Sequence, residues 1–334
     1  MNNLYKMMFL TTMMMGTLIA ISSYSWMSMW IGLEINLLSI IPLLTEAKSM
    51  YPSESALKYF ITQAMASAVL LFAILLSLNS SEFGPTPHPF SIMILNSALM
   101  IKMGAAPFHA WFPEVIEGLS WNNSVIMLTW QKIAPMVLLM YNPPMTSFLT
   151  SVVIMSAIIS GIMGINQISM RKIMAYSSIN HIGWMISSML NSQSIWFIYF
   201  LTYSVITLNI VFIMKSLNIF YLKQLFNSLN SSKTLKFLFV MNFLSLGGLP
   251  PFLGFFPKWL TINNLVMNSF SLLSMILIVS TLMTLFFYLR ITFSTLMINT
   301  NETTIFKKSI NSLFPIMFFN TVSLSGLLVC TLEL

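Results

Sequence analysis

Long apolar runs alternate along this chain with short stretches rich in proline, glycine, asparagine and serine. About 20 apolar residues cross the hydrocarbon core of a bilayer, and runs of about 18 to 25 residues recur about eleven times here. The pattern therefore predicts an all-α polytopic membrane protein with about eleven transmembrane helices. The predicted helices cover roughly 5–22, 25–44, 55–78, 90–118, 121–140, 146–168, 173–190, 194–219, 236–267, 270–292 and 310–332.

The fourth and ninth predicted helices are interrupted by similar sequences. Residues 104–114 read GAAPFHAWFPE and residues 248–258 read GLPPFLGFFPK, so that Gly, Pro, Phe, Phe and Pro recur in register. Two Gly/Pro-interrupted segments in corresponding halves indicate an internal repeat with broken helices. Each half holds five predicted helices, an odd number, so the second copy is expected to enter the membrane from the opposite side. Two ordinary proline-kinked helices are the alternative.

The chain is accordingly predicted to contain two inverted five-helix repeats and a tail. The first repeat covers 1–140 with its broken helix near 104–107, and the second covers 146–292 with its broken helix near 247–254. Residues 293–334 are predicted to form a loop on the inner side of the membrane and a C-terminal transmembrane helix.

Most of the positive charge sorts to one side of the predicted membrane. Inner loops of membrane proteins are enriched in Lys and Arg, and an inside N-terminus places most of these residues in or beside inner loops, whereas the predicted outer loops hold none. The cations on the inner side are Lys6, Lys48, Lys58, Arg171, Lys172, Lys223, Lys233, Lys236, Arg290, Lys307 and Lys308. This sorting explains the net charge of +7 without a nucleic-acid partner, and it places the C-terminus outside.

A few charged residues fall inside predicted helices, where each costs about 2.5 to 3.5 kcal/mol on insertion scales. They are Glu34, Lys102, Lys132, Lys215 and Lys258. Lys215 lies within about one turn of a helix end and is expected to extend its amine to the membrane surface. The other four need a compensating function, because neither orientation nor packing explains them.

Few residues are suited to cofactor chemistry. The chain has one cysteine, Cys330, and its acidic residues are all Glu, so it offers neither a Cys-x-x-Cys site nor a disulfide. The Gly247-Gly248 pair is not followed by the Lys-Ser/Thr of a phosphate-binding loop. No cofactor or metal is therefore expected in this chain.

Four separated motifs resemble one family. Residues 102–114 (KMGAAPFHAWFPE), 130–135 (WQKIAP), 174–183 (MAYSSINHIG) and 247–252 (GGLPPF) are similar to the antiporter-like subunits of respiratory complex I. The resemblance extends over essentially the whole chain. Related chains carry a carboxylate where this one has Lys258, and this difference favours one particular member of the family.

The resemblance implies a core subunit of the proton-translocating NADH:ubiquinone reductase, with no redox chemistry in this chain. Its partners would be the other membrane-arm subunits of complex I and the lipid bilayer, and the whole complex would use NADH, FMN, iron–sulfur clusters and ubiquinone. The expected location is the mitochondrial inner membrane, with the N-terminus in the matrix and the C-terminus in the intermembrane space. Residues 1–6 lack the Arg- and Ser-rich pattern of an imported mitochondrial protein, and synthesis inside the organelle would explain this.

The resemblance also implies that Glu34, Lys102, Lys132 and Lys258 form a proton relay. Lys102 would exchange protons with one aqueous side, Lys132 would link the two halves, and Lys258 would serve the other side. Withdrawing Glu34 from its partner lysine would release that lysine's proton.

The partner of Glu34 is expected to be Lys58 or Lys102, although Glu34 could also serve only as a structural ion pair. His181 and His109 are weaker candidates for the relay, because a histidine titrates near neutral pH but is as often a satisfied interior residue.

Three classes of function remain open from the sequence: a proton channel within complex I, an autonomous cation/proton antiporter, and a structural spacer. An autonomous Na⁺ site would normally use several hard oxygen ligands, whereas this chain offers one buried carboxylate, Glu34, and no Asp. The spacer is disfavoured by the insertion cost of the buried charges.

Overall fold

A computed structural model of the chain describes residues 2–45, 50–81, 89–229, 233–297 and 320–321. These residues are predominantly helical, and the chain divides into two compact units, Met1–Val152 and Val153–Leu334. The helices are α1 (Asn2–Ser22), α2 (Trp26–Leu44), α3 (Met50–Ser81), α4 (Pro89–Met103), α5 (Trp111–Gly118), α6 (Trp121–Leu128), α7 (Trp130–Tyr141), α8 (Thr146–Ile165), α9 (Met170–Met189), α10 (Gln193–Leu217), α11 (Leu222–Leu229), α12 (Lys233–Gly247), α13 (Phe255–Met267) and α14 (Ser271–Met297).

Helices occur at the first ten predicted segments, which confirms the all-α membrane fold. Within the described ranges, seven spans are long and apolar enough to cross a bilayer. The remaining predicted segments correspond to the interrupted pairs α4/α5 and α12/α13 and to α9. Nearly every residue of α9 is buried within the protein, so its serines, Asn180 and His181 do not face lipid. Apart from residues 320–321, the eleventh predicted helix, 310–332, lies outside the described residues, as do Lys48, Lys307, Lys308 and Cys330.

The structure corrects three details of the predicted helices. The segment predicted as continuous over 121–140 is divided at Thr129 into α6 and α7. Helix α3 extends beyond the predicted 55–78, because its first turns carry polar residues that an apolar pattern does not detect. Helix α11, which was not predicted, is a short amphipathic helix, and it is too short to span a membrane.

In the first unit, α1 and α2 approach closely through two glycines. A Cβ atom on Gly32 would lie 2.6 Å from the backbone nitrogen of Ala20, and one on Gly16 would lie 2.9 Å from that of Asn36. Small residues allow helix backbones to approach in a membrane, where dispersion rather than the hydrophobic effect drives helix association. These glycines therefore set the position of α2, the helix that carries Glu34.

The two helix breaks begin with the same type of turn. Gly104 and Gly248 have φ values of +73° and +78°, a left-handed conformation that glycine adopts without strain. The amides of Gly104 and Ala105 donate to the carbonyls of Ile101 and Met100 at 3.1 Å each. This is the Schellman arrangement of a helix C-terminus.

The second break repeats these hydrogen bonds in register. The amides of Gly248 and Leu249 donate to the carbonyls of Ser245 and Leu244 at 3.0 and 3.4 Å. The similarity between the two sequences is therefore matched by similar hydrogen bonding at the start of each break.

Candidate functional site

Each of the three buried lysines lies beside a helix interruption. Lys102 lies in the last turn of α4, Lys132 is the third residue of α7, and Lys258 is the fourth residue of α13. Their exposed fractions are 7%, 1% and 7%. Backbone groups released at an interruption are tolerated at membrane depth when they face protein or a cavity. The sequence identified two of these interruptions and missed the one at Thr129.

Lys102 lines a small polar cavity in the first unit. The cavity is about 10 Å³, roughly the space that one water needs. Its polar lining comes from α2, α3, α4 and α7, through Asn36, Tyr59, Gln63, Lys102 and Gln131. An ammonium donates hydrogen bonds and accepts none, so the amide and hydroxyl oxygens of this lining suit it chemically.

Glu34 is half-buried on α2, within electrostatic range of Lys102. The predicted Glu34–Lys58 pair is wrong: Lys58 lies 3.1 Å from both Glu54 and Glu114, and its side chain is 44% exposed. Among the described residues, no ion pair within 4.0 Å contains Glu34. Lys102 is therefore the remaining predicted partner of Glu34.

A reciprocal amide pair fixes α2 against α7 beside this cavity. The Nδ2 of Asn36 donates to Oε1 of Gln131, and the Nε2 of Gln131 donates to Oδ1 of Asn36, both at 3.0 Å. Asn36 is two residues from Glu34, and Gln131 adjoins Lys132. The pair therefore holds two of the charged candidates in a defined register.

We expect Asn36→Leu to destabilise the protein by about 1 to 2 kcal/mol, because it leaves the buried amide of Gln131 without its partner. The double variant Asn36→Leu/Gln131→Leu removes both amides and should recover part of that loss. Thermal inactivation of the solubilised protein in its native assembly measures the effect, with the exposed Asn268→Leu as a control. A double variant that is less stable than Asn36→Leu would contradict the interpretation.

Lys132 packs against an aromatic ring that the first break places beneath it. Its Nζ lies 5.5 Å from the centroid of the Phe112 ring, within the range of a cation–π contact. Phe112 is the second residue of α5 and is 1% exposed. The first break thus serves two lysines. It places the Phe112 ring against Lys132, and it ends α4, the helix that carries Lys102.

In the second unit, Lys258 reaches back across its break. Its Nζ donates to the carbonyl oxygens of Leu246 and Gly247 at 3.2 and 2.9 Å. These carbonyls lie at the end of α12 and are not used by the Schellman bonds, which use Leu244 and Ser245. The amine also lies 5.9 Å from the ring centroid of Trp184 on α9.

His181 lies near the Lys258 site. Its Nδ1 is 2.9 Å from Oη of Tyr199, within hydrogen-bond distance. His181 and Tyr199 line a cavity of about 10 Å³ together with Ser245, Leu246, Gly254 and Pro257. The structure therefore brings His181 next to the two segments that flank the second break.

His109 is placed differently. It is part-exposed in the first break, where its Nδ1 lies 3.3 Å from the carbonyl oxygen of Pro107, and it does not line the Lys102 cavity. His88 lies outside the described residues.

Three amides at the first site were missed from the sequence: Asn36, Gln63 and Gln131. Amides carry no charge, so the insertion cost that singles out an ionisable residue within a helix does not single them out. A usable signal was present, because Asn36 follows Glu34 by two residues and Gln131 precedes Lys132. A polar residue this close to a buried charge could have indicated that α2 and α7 both line the site.

Fold and site together define a polytopic membrane protein whose buried charges adjoin broken helices, an architecture typical of ion-translocating proteins. Residues 23–284 match the profile of the family described as NADH:quinone oxidoreductase/Mrp antiporter, TM. The NADH-ubiquinone oxidoreductase chain 2 of Anopheles gambiae is 46% identical over 97% of this chain and 96% of that protein. The chain 2 of Locusta migratoria is 46% identical over 90% and 88%.

A solved structure supports the same fold. A chain in the structure of respiratory complex I from Thermus thermophilus aligns with a TM-score of 0.86, covering 97% of this chain and 79% of that one, at 23% identity. The chain therefore belongs to the NADH:quinone oxidoreductase/Mrp antiporter family and, within it, to the proteins named NADH-ubiquinone oxidoreductase chain 2.

Proposed function

We propose that this chain is a membrane-arm subunit of respiratory complex I that translocates protons on its buried lysines while the complex passes electrons from NADH to ubiquinone. The observation that carries the proposal is the placement of Lys102, Lys132 and Lys258, each buried beside a helix interruption. A lysine amine can take up and release a proton without any bond chemistry in the chain. The relatives' name, NADH-ubiquinone oxidoreductase chain 2, supports the assignment to the complex.

In the first unit, Lys102 is the proposed entry to the relay. The cavity beside it has room for about one water, which can exchange a proton with the amine. Glu34 tunes this exchange through its charge, since a nearby carboxylate favours the ammonium form and its withdrawal favours release. Lys132, which stacks on Phe112, is the next carrier.

In the second unit, Lys258 is the proposed carrier and His181 an accessory one. The cavity that His181 lines is bordered by Leu246, whose carbonyl accepts from Lys258. A proton on Lys258 would therefore have a titratable neighbour, His181, across a small cavity. His109 and Lys58 remain weaker candidates, because the structure places both in partly exposed positions.

We further propose that the chain holds no cofactor of its own and acts in the mitochondrial inner membrane. NADH, FMN, iron–sulfur clusters and ubiquinone would be bound by other subunits of the complex. The start of α1 would face the matrix and the C-terminus the intermembrane space, as the distribution of Lys and Arg predicts.

Purification and reconstitution test this function against an autonomous antiporter. We expect the chain to co-purify with an NADH-oxidising complex that acidifies one side of a vesicle when NADH is added. The purified chain alone, in liposomes with an imposed Na⁺ gradient, should move no protons. Exchange of Na⁺ for H⁺ by the isolated chain would overturn the proposal in favour of the antiporter.

A further inference from the structure

The C-terminal end of α12 binds the side-chain amine of Lys258. A helix C-terminus exposes carbonyl groups that have no partner within the helix, and these groups carry partial negative charge. The Schellman turn at Gly248 uses the carbonyls of Ser245 and Leu244. The next two, on Leu246 and Gly247, accept from Nζ of Lys258 at 3.2 and 2.9 Å. A residue from the far side of the break thus completes the helix end.

The lysine reaches these carbonyls through a notch at Gly248. A Cβ atom on Gly248 would lie 2.7 Å from Cδ, 3.1 Å from Cε and 3.0 Å from Nζ of Lys258. Any side chain at position 248 would therefore occupy the space through which the lysine passes. We infer that Gly248 is a positioning residue, whose missing side chain holds the amine of Lys258 on the carbonyl end of α12.

Two other glycines, Gly104 and Gly247, separate this role from turn geometry. Gly104 has nearly the same φ as Gly248, +73° against +78°. A Cβ atom on Gly104, however, would meet the side chain of Phe112 at 3.1 Å and not a lysine. A Cβ atom on Gly247 would have its nearest neighbours at 3.7 Å, on Leu285 and Tyr288. The backbone turn requires glycine at both breaks, and the lysine notch is an additional requirement at Gly248.

The notch has a consequence for proton transfer, and this step rests on the function proposed above. With the amine held on Leu246 and Gly247, Lys258 lies against the segment that borders the His181 cavity. A Cβ atom at position 248 would displace the amine from the carbonyls. Because a misplacement of about 1 Å can slow a positioned reaction by about 100-fold, proton translocation should be sensitive to this displacement.

The test is a space-compensation experiment in the assembled complex. Gly248→Ala is expected to move the amine of Lys258 out of hydrogen-bond distance of both carbonyls, and to lower proton translocation per NADH by about tenfold or more. Adding Lys258→Ala removes the crowded stem, so the double variant should assemble and resist heat better than Gly248→Ala alone. Gly104→Ala, with the same strained φ, is the matched control, and Lys258→Ala should not improve its stability.

Two results would overturn the inference. One is a structure of the Gly248→Ala complex in which the lysine amine still contacts both carbonyls. The other is a loss of stability in Gly248→Ala that the added Lys258→Ala does not relieve. If Gly248→Ala alone fails to assemble, the same comparison still applies, because a double variant that also fails to assemble would overturn the inference. A complex in which Lys258→Met pumps normally would instead contradict the proposed relay, and the position of the amine in Gly248→Ala would still test the notch.

Discussion

Lys132→Met is expected to abolish proton translocation through this subunit while leaving the protein folded. Removal of a positioned acid–base group typically slows proton transfer by about 100-fold or more. Methionine matches the lysine stem in shape, and it removes an insertion cost of about 2.5 to 3.5 kcal/mol. A lysine that is 1% exposed should therefore be replaced without loss of stability. Proton uptake per NADH in reconstituted vesicles measures the effect.

The matched control for this variant is Lys215→Met. Lys215 is exposed in the last turn of α10 and takes no part in the proposed relay, so pumping should be retained. Assembly of both variants can be compared on native gels. If the fully assembled Lys132→Met complex pumped as many protons per NADH as the control, Lys132 would not be a proton carrier.

Gly32→Leu is expected to prevent assembly of the complex. A Cβ atom at Gly32 would already lie 2.6 to 2.9 Å from the N, Cα and Cβ atoms of Ala20, and a backbone on one helix cannot move aside as a side chain can. Overpacking typically costs about 1 to 3 kcal/mol, and displacement of α2 would also separate Asn36 from Gln131. The amount of assembled, NADH-oxidising complex measures the outcome.

Gly161→Ala provides the comparison for Gly32→Leu. A Cβ atom at Gly161 would lie 3.1 Å from Cβ and 3.3 Å from Sδ of Met283, and 3.6 Å from the carbonyl oxygen of Ser280. This crowding is milder than at Gly32, and a small local adjustment relieves it. This variant should assemble in near-normal amounts. Normal assembly of Gly32→Leu would mean that α1 and α2 can separate without harm, and that Gly32 does not set the position of α2.

The hydrophobic pattern predicted the large features of this fold because a bilayer imposes the length and composition of its helices. The breaks at Gly104 and Gly248 were also predictable, since glycine and proline leave a signal in the sequence. The division at Thr129 left none, because the residues around it are compatible with a continuous apolar helix. The short helix α11 was missed for a related reason, since it is amphipathic and does not span the membrane.

The candidate site was only partly predictable from the sequence. Burial of Lys102, Lys132 and Lys258 follows from their positions within apolar segments, and the structure agrees. The partners of these lysines depend on which helices become neighbours, which no local pattern contains. Lys58 illustrates the limit: its exposed ion pair with Glu114 joins residues far apart in sequence. The role of Lys102, Lys132 and Lys258 as a proton relay remains a prediction.

The notch at Gly248 also restricts which cation can occupy position 258. Arginine keeps its charge at any physiological pH, and its guanidinium is a broad planar group. The stem and amine of Lys258 already fill the space beside Gly248, at distances of 2.7 to 3.1 Å from a Cβ atom built there. A guanidinium could not follow the same path. The shape of the broken helix therefore admits the basic side chain that can give up its proton and excludes the one that cannot.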